Sequence, residues 1–536
     1  MARGLTFGQI GVTEAMIATY ADAIWEMSNN IQVRRGDPVR KLEFERIEAE
    51  RADLGMSDAQ IARVIGLTRD QVLVIRLLTE VRRFRRRSYQ RLHELGRGHR
   101  FNAERYLPHE ARRGYTPAAL ALRDALRFDP RRASRYLAEG FWADDTLAGW
   151  LASCATASPR RAALRQAQAQ IDYQELAARV ERFAAGLHAL GLGCGDVVSV
   201  QLPNSVEFLI AYLAIARLGA VMATLQSSGR RGELKALLAH ARARALICPG
   251  RVETSQLPAE VRALSYADVL AQGGKVPQDI GPAPADPLLL SCRPGAGAIP
   301  KAVPHTHQAM LGNARMSARE LRISGDDLVL STAPYCGPIG LYSLHLAMCA
   351  GATSVVLPSF TPAECSVAIA SQRPTVLFVD PAQLAAMLDN GLLDPNGLSS
   401  VRLLIICGSA CPPELAHAAA ARLAHGSFLQ LWGAAETQAA LYSRPHDPLE
   451  TAAASVGRPS PGTEVRVAGV DGVTPRPGAE GELQVCGSAL FPRYFDNDEA
   501  NAAAFTEDGW FRTGELASCD DAGNVRITGR LPSAGA

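Results

Sequence analysis

Beyond residue 133 the chain alternates between two hydrophobic rhythms. Short, nearly continuous apolar runs have the length and β-branched content of buried strands: "DVVSVQLPN" (196–204), "AVMATL" (220–225), "TSVVLP" (353–358), "TVLFVD" (375–380) and "RLLIICGSA" (402–410). Longer stretches with helical spacing lie between them, and "SVEFLIAYLAIARLG" (205–219) is the most apolar. Strands alternating with helices predict a parallel-rich sheet covered on both faces, an α/β architecture. From about 457 the rhythm changes. Glycine and proline become frequent, and "EVRVAG", "GELQVCG" and "NVRITG" read as short strands of a small β-rich subdomain. Residues 1–100 carry helical spacing, a single proline (Pro38) and few strand-like runs, so an all-α region is expected there. The predicted organisation is helical at 1–100, a basic proline-bearing linker at 101–130, the α/β core at 131–456, the β-rich subdomain at 457–530 and a short tail at 531–536.

Bulk properties narrow this picture. A chain of 536 residues exceeds what one hydrophobic core supports. It is 47% hydrophobic and 21% charged, with a formal charge of +2, which excludes a molecule that binds polyanions over its whole surface. The charge is unevenly spread, with sixteen arginines against five acidic residues from Arg82 to Arg135. Such a stretch either attracts DNA or other nucleic acid, an anionic membrane or an acidic partner, or forms a solvated helical surface. The apolar run from Val206 to Leu225 contains Glu207 and Arg217, so it reads as a buried helix and not a membrane span. Eleven cysteines lie singly, without CxxC pairs or zinc-ligand spacing, and the N-terminus lacks a charged-then-apolar leader. Both features predict buried thiols in a reducing, cytoplasmic setting.

Within the helical region, "SDAQIARVIGLTRDQVLVIRLL" (57–78) has a specific layout. Ser57 or Asp58 can cap a helix with Ile61, Val64 and Ile65 on its apolar face. Gly66 permits a sharp turn, and Thr68 can cap a second helix carrying Val72, Ile75 and Leu78. The spacing of Ala62, Gly66 and Val72 resembles the helix-turn-helix of bacterial transcription factors, which implies DNA contact; a purely structural hairpin has the same pattern. The following "RRFRRR" (82–87) would supply phosphate contacts in the first case.

The segment "LLLSCRPGAGAIPKAVPHTH" (288–307) runs from an apolar strand into a glycine-rich bend and a lysine, the layout of a phosphate-holding loop. Further on come "APYCGPIGLYSL" (333–344), "IICGSACPPEL" (405–415), "LQLWGAAETQ" (429–438) and "GWFRTGELA" (509–517). In this order and spacing, together with "FWADDTLAGWL" near the start, these landmarks resemble the adenylate-forming superfamily of acyl-CoA synthetases, aryl-acid AMP ligases and adenylation domains. The resemblance spans about 131–530, and "KAVPHTH" is most similar to the aryl-acid ligases. It implies an α/β adenylate-forming large domain that activates a small carboxylic acid with ATP and Mg²⁺, then passes the acyl group to coenzyme A or a carrier pantetheine.

What the resemblance implies for individual residues is mixed. Aligned on Lys301, the phosphate loop reads Arg293, Pro294, Gly295, Ala296, Gly297, with both central hydroxyls of the family replaced and no N–H on Pro294. A hydrogen bond to a charged phosphate contributes about 1.5–3 kcal/mol, so losing two weakens triphosphate binding by roughly 3–6 kcal/mol. Arg293 can supply replacement charge. Trp432 stands for the adenine-stacking aromatic beside Gly433, Glu436 for the Mg²⁺ carboxylate, and Gly408, Ser409 and Ala410 for the turn beside the adenine. Glu515 replaces the aspartate that holds the ribose, and Arg530 ends the hinge segment "NVRITGR". Tyr335, Cys336, Gly337 and His307 would line an acyl pocket suited to an apolar aliphatic or aryl acid; His305 is a further candidate. Past the hinge the chain reads "LPSAGA", without the small domain whose lysine is catalytic in the family, so no catalytic residue is assigned. The resulting expectation is an impaired ligase, unless a separate C-terminal domain joins it; the alternative is a non-catalytic ligand- or DNA-binding regulator.

Overall fold

The computed structural model describes residues 128–531 outside 226–231, 251–253, 278–279, 295–298, 394–395 and 470–477, together with parts of 12–24 and 61–84, Leu122 and Leu126. The chain divides into two compact units. One holds the described residues of 12–84 with Phe128–Gly140; the other holds Leu122, Leu126 and everything from Phe141 onward.

In the first unit, the turn and second helix of the hairpin follow the sequence. Gly66 has φ +72°, and the Leu67 N–H donates to the Ala62 carbonyl at 3.0 Å. Thr68 and Gln71 then form a reciprocal cap: the Gln71 N–H donates to Thr68 Oγ1 (3.2 Å) and the Thr68 N–H to Gln71 Oε1 (2.9 Å). They open the helix Arg69–Phe84, with Val72 and Ile75 buried. Residues 57–60 and 63–65 lie outside the described residues, as do 85–121 of the arginine-rich stretch. The helix Pro130–Ala138 closes the unit, its N-terminus capped by Asp129, whose carboxylate accepts from the N–H groups of Arg131 and Arg132.

Among the described residues, the second unit contains three sheets. The strands are β1 (Ala162–Gln166), β2 (Ala169–Asp172), β3 (Val197–Val200), β4 (Val221–Leu225), β5 (Ala245–Ile247), β6 (Arg262–Leu264), β7 (Pro287–Arg293) and β8 (Lys301–Thr306). They continue with β9 (Leu328–Ser331), β10 (Thr353–Val355), β11 (Val376–Val379), β12 (Leu403–Cys407), β13 (Ser427–Ala434), β14 (Gln438–Tyr442) and β15 (Arg458–Pro459). The chain ends in β16 (Thr463–Ala468), β17 (Gly481–Gly487), β18 (Phe511–Cys519) and β19 (Val525–Arg530). One six-stranded sheet has the order β6-β5-β3-β4-β7-β8 and is parallel except at the β7–β8 edge. A nine-stranded sheet has the order β15-β14-β13-β12-β11-β9-β10-β1-β2, with its six central strands parallel.

The helix Val206–Arg217 shows why the layers hold. Ser205 caps it by accepting from the Phe208 N–H at 3.1 Å, and every residue from Phe208 to Ala216 is buried. A helix apolar on all sides belongs inside a protein, and this one joins one core with Phe183, Leu187, Leu341 and Met348. The nine-stranded sheet buries a separate core on each face. One contains Leu377, Leu404 and Ile406; the other contains Phe378, Leu403 and Ile405, the alternation that period-two strands impose.

The small antiparallel sheet β16-β17-β18-β19 forms the β-rich part expected from 457. It begins only at Thr463, because Arg458 and Pro459 pair with Tyr442 and Leu441 and extend the nine-stranded sheet instead. Leu483, Val485, Ala517 and Val525 attach the small sheet to Ala440, Leu441 and Trp432. No helix among the described residues is long and apolar enough to cross a membrane.

Candidate active site

Parallel strands end on the same side of a sheet, so the segments that follow them are brought together. The register aligns Val379 with Ile406 and Cys407 with Leu431. Asp380 after β11, Gly408–Ala410 after β12 and Trp432–Glu436 at the end of β13 therefore lie along one strand edge. The segment Thr332–Gly337 follows β9 at the same edge, where the Thr332 N–H donates to the Phe378 carbonyl at 3.0 Å.

Gly408 has φ +100°, and a Cβ placed on it would stand 2.9 Å from Asp380 Oδ2. Only glycine satisfies both the backbone and the neighbour. The Ser409 hydroxyl donates to Asp380 Oδ2 at 3.2 Å, and Gly408, Ser409 and Ala410 are all exposed. Asp380 carried no signal in the sequence beyond the cap it makes on the helix Pro381–Asp389, where its carboxylate accepts from the Ala382 N–H.

Tyr335 is buried. Its ring stacks on Phe208 with centroids 5.9 Å apart, and its N–H donates to Asn204 Oδ1 at 2.7 Å. Asn204 also donates through Nδ2 to the Ala333 carbonyl at 3.2 Å, so this one side chain clamps the turn that precedes Gly337, the first-turn cap of the helix Pro338–Ala350. Asn204 stands in the quoted "DVVSVQLPN" but was not singled out there. Cys336 is half-buried against the same core, and burial pushes its thiol up.

His307 is fully buried at the start of the helix His307–Glu320. Its Nδ1 accepts from the Leu147 N–H at 3.2 Å, and its Nε2 has no hydrogen-bond partner among the described residues. His305 sits in β8, and its Nε2 donates to the Ala435 carbonyl at 2.6 Å. That contact anchors the turn carrying Glu436, a positioning role. Burial lowers the pKa of both histidines to about 4, so both are neutral at pH 7.

Glu436 is the centre of the arrangement, at 2% side-chain exposure. Its Oε1 accepts from the Tyr494 hydroxyl at 2.8 Å and from Nη2 of Arg293 in a close ion pair. Arg293 ends β7, paired across the ladder with Lys301, whose Nζ lies 5.1 Å from the centre of the Tyr494 ring. This ion pair and the His305–Ala435 hydrogen bond thus join the two sheets. Tyr494, in "FPRYFDN", was not anticipated; an aromatic followed by Asn497 and the helix Asp498–Ala504 was the available signal. The remaining loop residues Gly295, Ala296 and Gly297 lie outside the described residues.

Mg²⁺ is commonly held by one or two protein carboxylates together with substrate phosphates and waters. Among the described residues no group of three or more His, Cys, Asp or Glu side chains could hold a metal ion. Glu436 already shares an oxygen with a guanidinium. A carboxylate already neutralised by a guanidinium is poorly suited to hold Mg²⁺.

Trp432 and Gly433 close β13; Trp432 is half-buried and packs on the core beneath the small sheet. Glu515 lies opposite Arg530 in the β18–β19 ladder, and Arg530 donates to its carboxylate through Nε at 3.0 Å. The predicted ribose carboxylate and hinge arginine are thus each other's partners.

Two parallel-rich sheets, a small antiparallel sheet and functional segments gathered at one strand edge define an α/β adenylate-forming fold. The AMP-binding enzyme family matches residues 151–495, and the chain belongs to it. Among curated proteins it is 33% identical to the salicyl-AMP ligase / salicyl-S-ArCP synthetase of Mycobacterium tuberculosis, over 75% of this chain and 76% of that protein. It is 32% identical to an indoleacetate–CoA ligase of Aromatoleum aromaticum, over 72% of this chain and 78% of that one. The apo structure of Mycobacterium smegmatis MbtA superposes with a TM-score of 0.70 at 32% identity, covering 77% of this chain and 81% of its own. The chain is thus a member of the ATP-dependent, AMP-forming acyl- and aryl-acid ligases.

Proposed function

We propose that the protein condenses an apolar aryl or aliphatic carboxylic acid with ATP to give an acyl adenylate and pyrophosphate, at low efficiency. The observation that carries this reading is the meeting of Arg293, Glu436 and Tyr494 at the strand edge that also carries the exposed Gly408–Ala410 turn. Arg293 and Lys301 supply positive charge for phosphates, the Gly408–Ala410 turn accepts the adenine with Trp432 near it, and Glu515 holds ribose. The Tyr335–Gly337 segment and His307 bound an apolar acid pocket. Coenzyme A or a pantetheine carrier is the acceptor in keeping with the relatives' names.

Low efficiency follows from the loop sequence, where alanine and glycine at 296 and 297 offer no hydroxyls. Acid-dependent exchange of labelled pyrophosphate into ATP, scanned over aromatic and fatty acids, tests both parts. Exchange should be measurable for the wild type and rise by about a hundredfold with Ala296→Thr and Gly297→Ser together, two recovered charge-assisted hydrogen bonds. No exchange with any acid in either protein refutes the ligase reading; exchange unchanged by the substitutions refutes the loop diagnosis. A second reading, a regulator on the same fold that contacts DNA through Ala62 to Ile75, is supported by the glycine turn at Gly66 and the Thr68–Gln71 cap.

A further inference from the structure

The buried carboxylate of Glu436 requires a cation, because an unpaired charge at 2% exposure is strongly destabilising. In this chain the cation is built in. Arg293 reaches across from the last residue of β7, and its guanidinium contacts Glu436 Oε1 while the side chain remains 37% exposed. Tyr494 donates to the same oxygen at 2.8 Å. Burial and the adjacent carboxylate push the Tyr494 phenol up, so it stays a donor. Lys301 lies over the Tyr494 ring and adds a second positive charge within the same cluster. The carboxylate is thus paired with Arg293, and Lys301 stands over the tyrosine that shares its oxygen. A divalent ion brought to Glu436 would meet the like charge of the guanidinium already paired with that carboxylate, whereas an anion approaching the exposed edge of Arg293 would be attracted.

We propose that Arg293 replaces the divalent cation at this site: held by Glu436, its guanidinium binds the nucleotide's phosphate directly, so that the protein takes up adenine nucleotides without a metal. Arginine suits the role, since its planar fork can keep one N–H on the carboxylate while others face phosphate oxygens. The inference rests on the ligase reading for the identity of the ligand.

The test is nucleotide binding by isothermal titration with ATP and AMP, once in excess Mg²⁺ and once in EDTA, on the full chain. The wild type should bind ATP with affinities that differ by less than about threefold between the two conditions. Arg293→Ser should lose at least about tenfold in EDTA and recover with Mg²⁺, which then finds Glu436 free. Arg293→Lys keeps the charge that neutralises Glu436 but not the fork; it should fold as the wild type by circular dichroism and lose less ATP affinity in EDTA than Arg293→Ser, which separates loss of the phosphate contact from loss of fold. A wild type whose ATP affinity depends on Mg²⁺ as strongly as that of Arg293→Ser overturns the inference alone. Absence of ATP and AMP binding in the wild type overturns the inference together with the ligase reading.

Discussion

Mild acid should strongly destabilise this protein before most of its carboxylates protonate, because three histidines are buried uncharged. Burial lowers His305 and His307 from 6.5 to about 4, and His345 to about 3. Removal from water is the main cause, and the surroundings of His307 and His345 add to it. His307 uses Nδ1 as an acceptor for the Leu147 N–H, a role that protonation abolishes. His345 faces the Tyr212 hydroxyl at 2.8 Å and repels a charged His307. The nearby acids, Asp286 at His307 and Glu436 at His305, raise these values less than burial depresses them. Each folded pKa lies below its unfolded value, so the unfolded chain binds more protons between pH 6.5 and about 4. The stability is fully present above pH 6.5 and is lost as the pH falls through that window.

Going from about pH 7 to about pH 5 removes roughly 2 kcal/mol per histidine and roughly 5–6 kcal/mol for three, against a total stability of about 5–15 kcal/mol. His417, exposed and held above its usual range by Glu450, acts in the opposite direction, losing its contribution as pH rises. Urea unfolding followed by circular dichroism at the two pH values measures the loss. His345→Gln keeps a polar partner for Tyr212 and should lose about 2 kcal/mol less than the wild type over the same interval. A wild-type loss below about 1 kcal/mol, or a variant as acid-labile as the wild type, would refute the reasoning.

Gly408→Val puts a branched side chain at φ +100° and against Asp380 Oδ2; it should cost about 1–3 kcal/mol of stability and lower ATP affinity at least about tenfold, read by titration of the folded variant. Normal ATP affinity in that variant would remove the Gly408–Ala410 turn from the nucleotide site. If the basic stretch contacts DNA, replacing the five arginines of Arg82–Arg87 by glutamine should abolish a salt-sensitive gel shift with duplex DNA, and an unchanged or absent wild-type shift counts against it.

Much of the fold was legible because its signals are local. Continuous apolar runs at 197–200, 376–379 and 403–407 became central parallel strands, and the apolar stretch at 206–217 became a helix buried on every side. Asn204 and Tyr494 were missed for the complementary reason. An asparagine after a strand and a tyrosine before a turn are common, and what sets these two apart is the partner each one meets 129 and 58 residues away in the chain.

Hydrophobic period, turn glycines and motif order were therefore enough to define an α/β chain of this family, since backbone geometry and side-chain spacing act over a few residues. Packing alone decided that Arg293 and Glu436, 143 residues apart, form one ion pair, and that Glu515 and Arg530 hold each other across a ladder. It also decided that three histidines lie away from water. Charge neutralisation and burial depend on which strand ends converge, and that convergence exists only once the sheets have assembled.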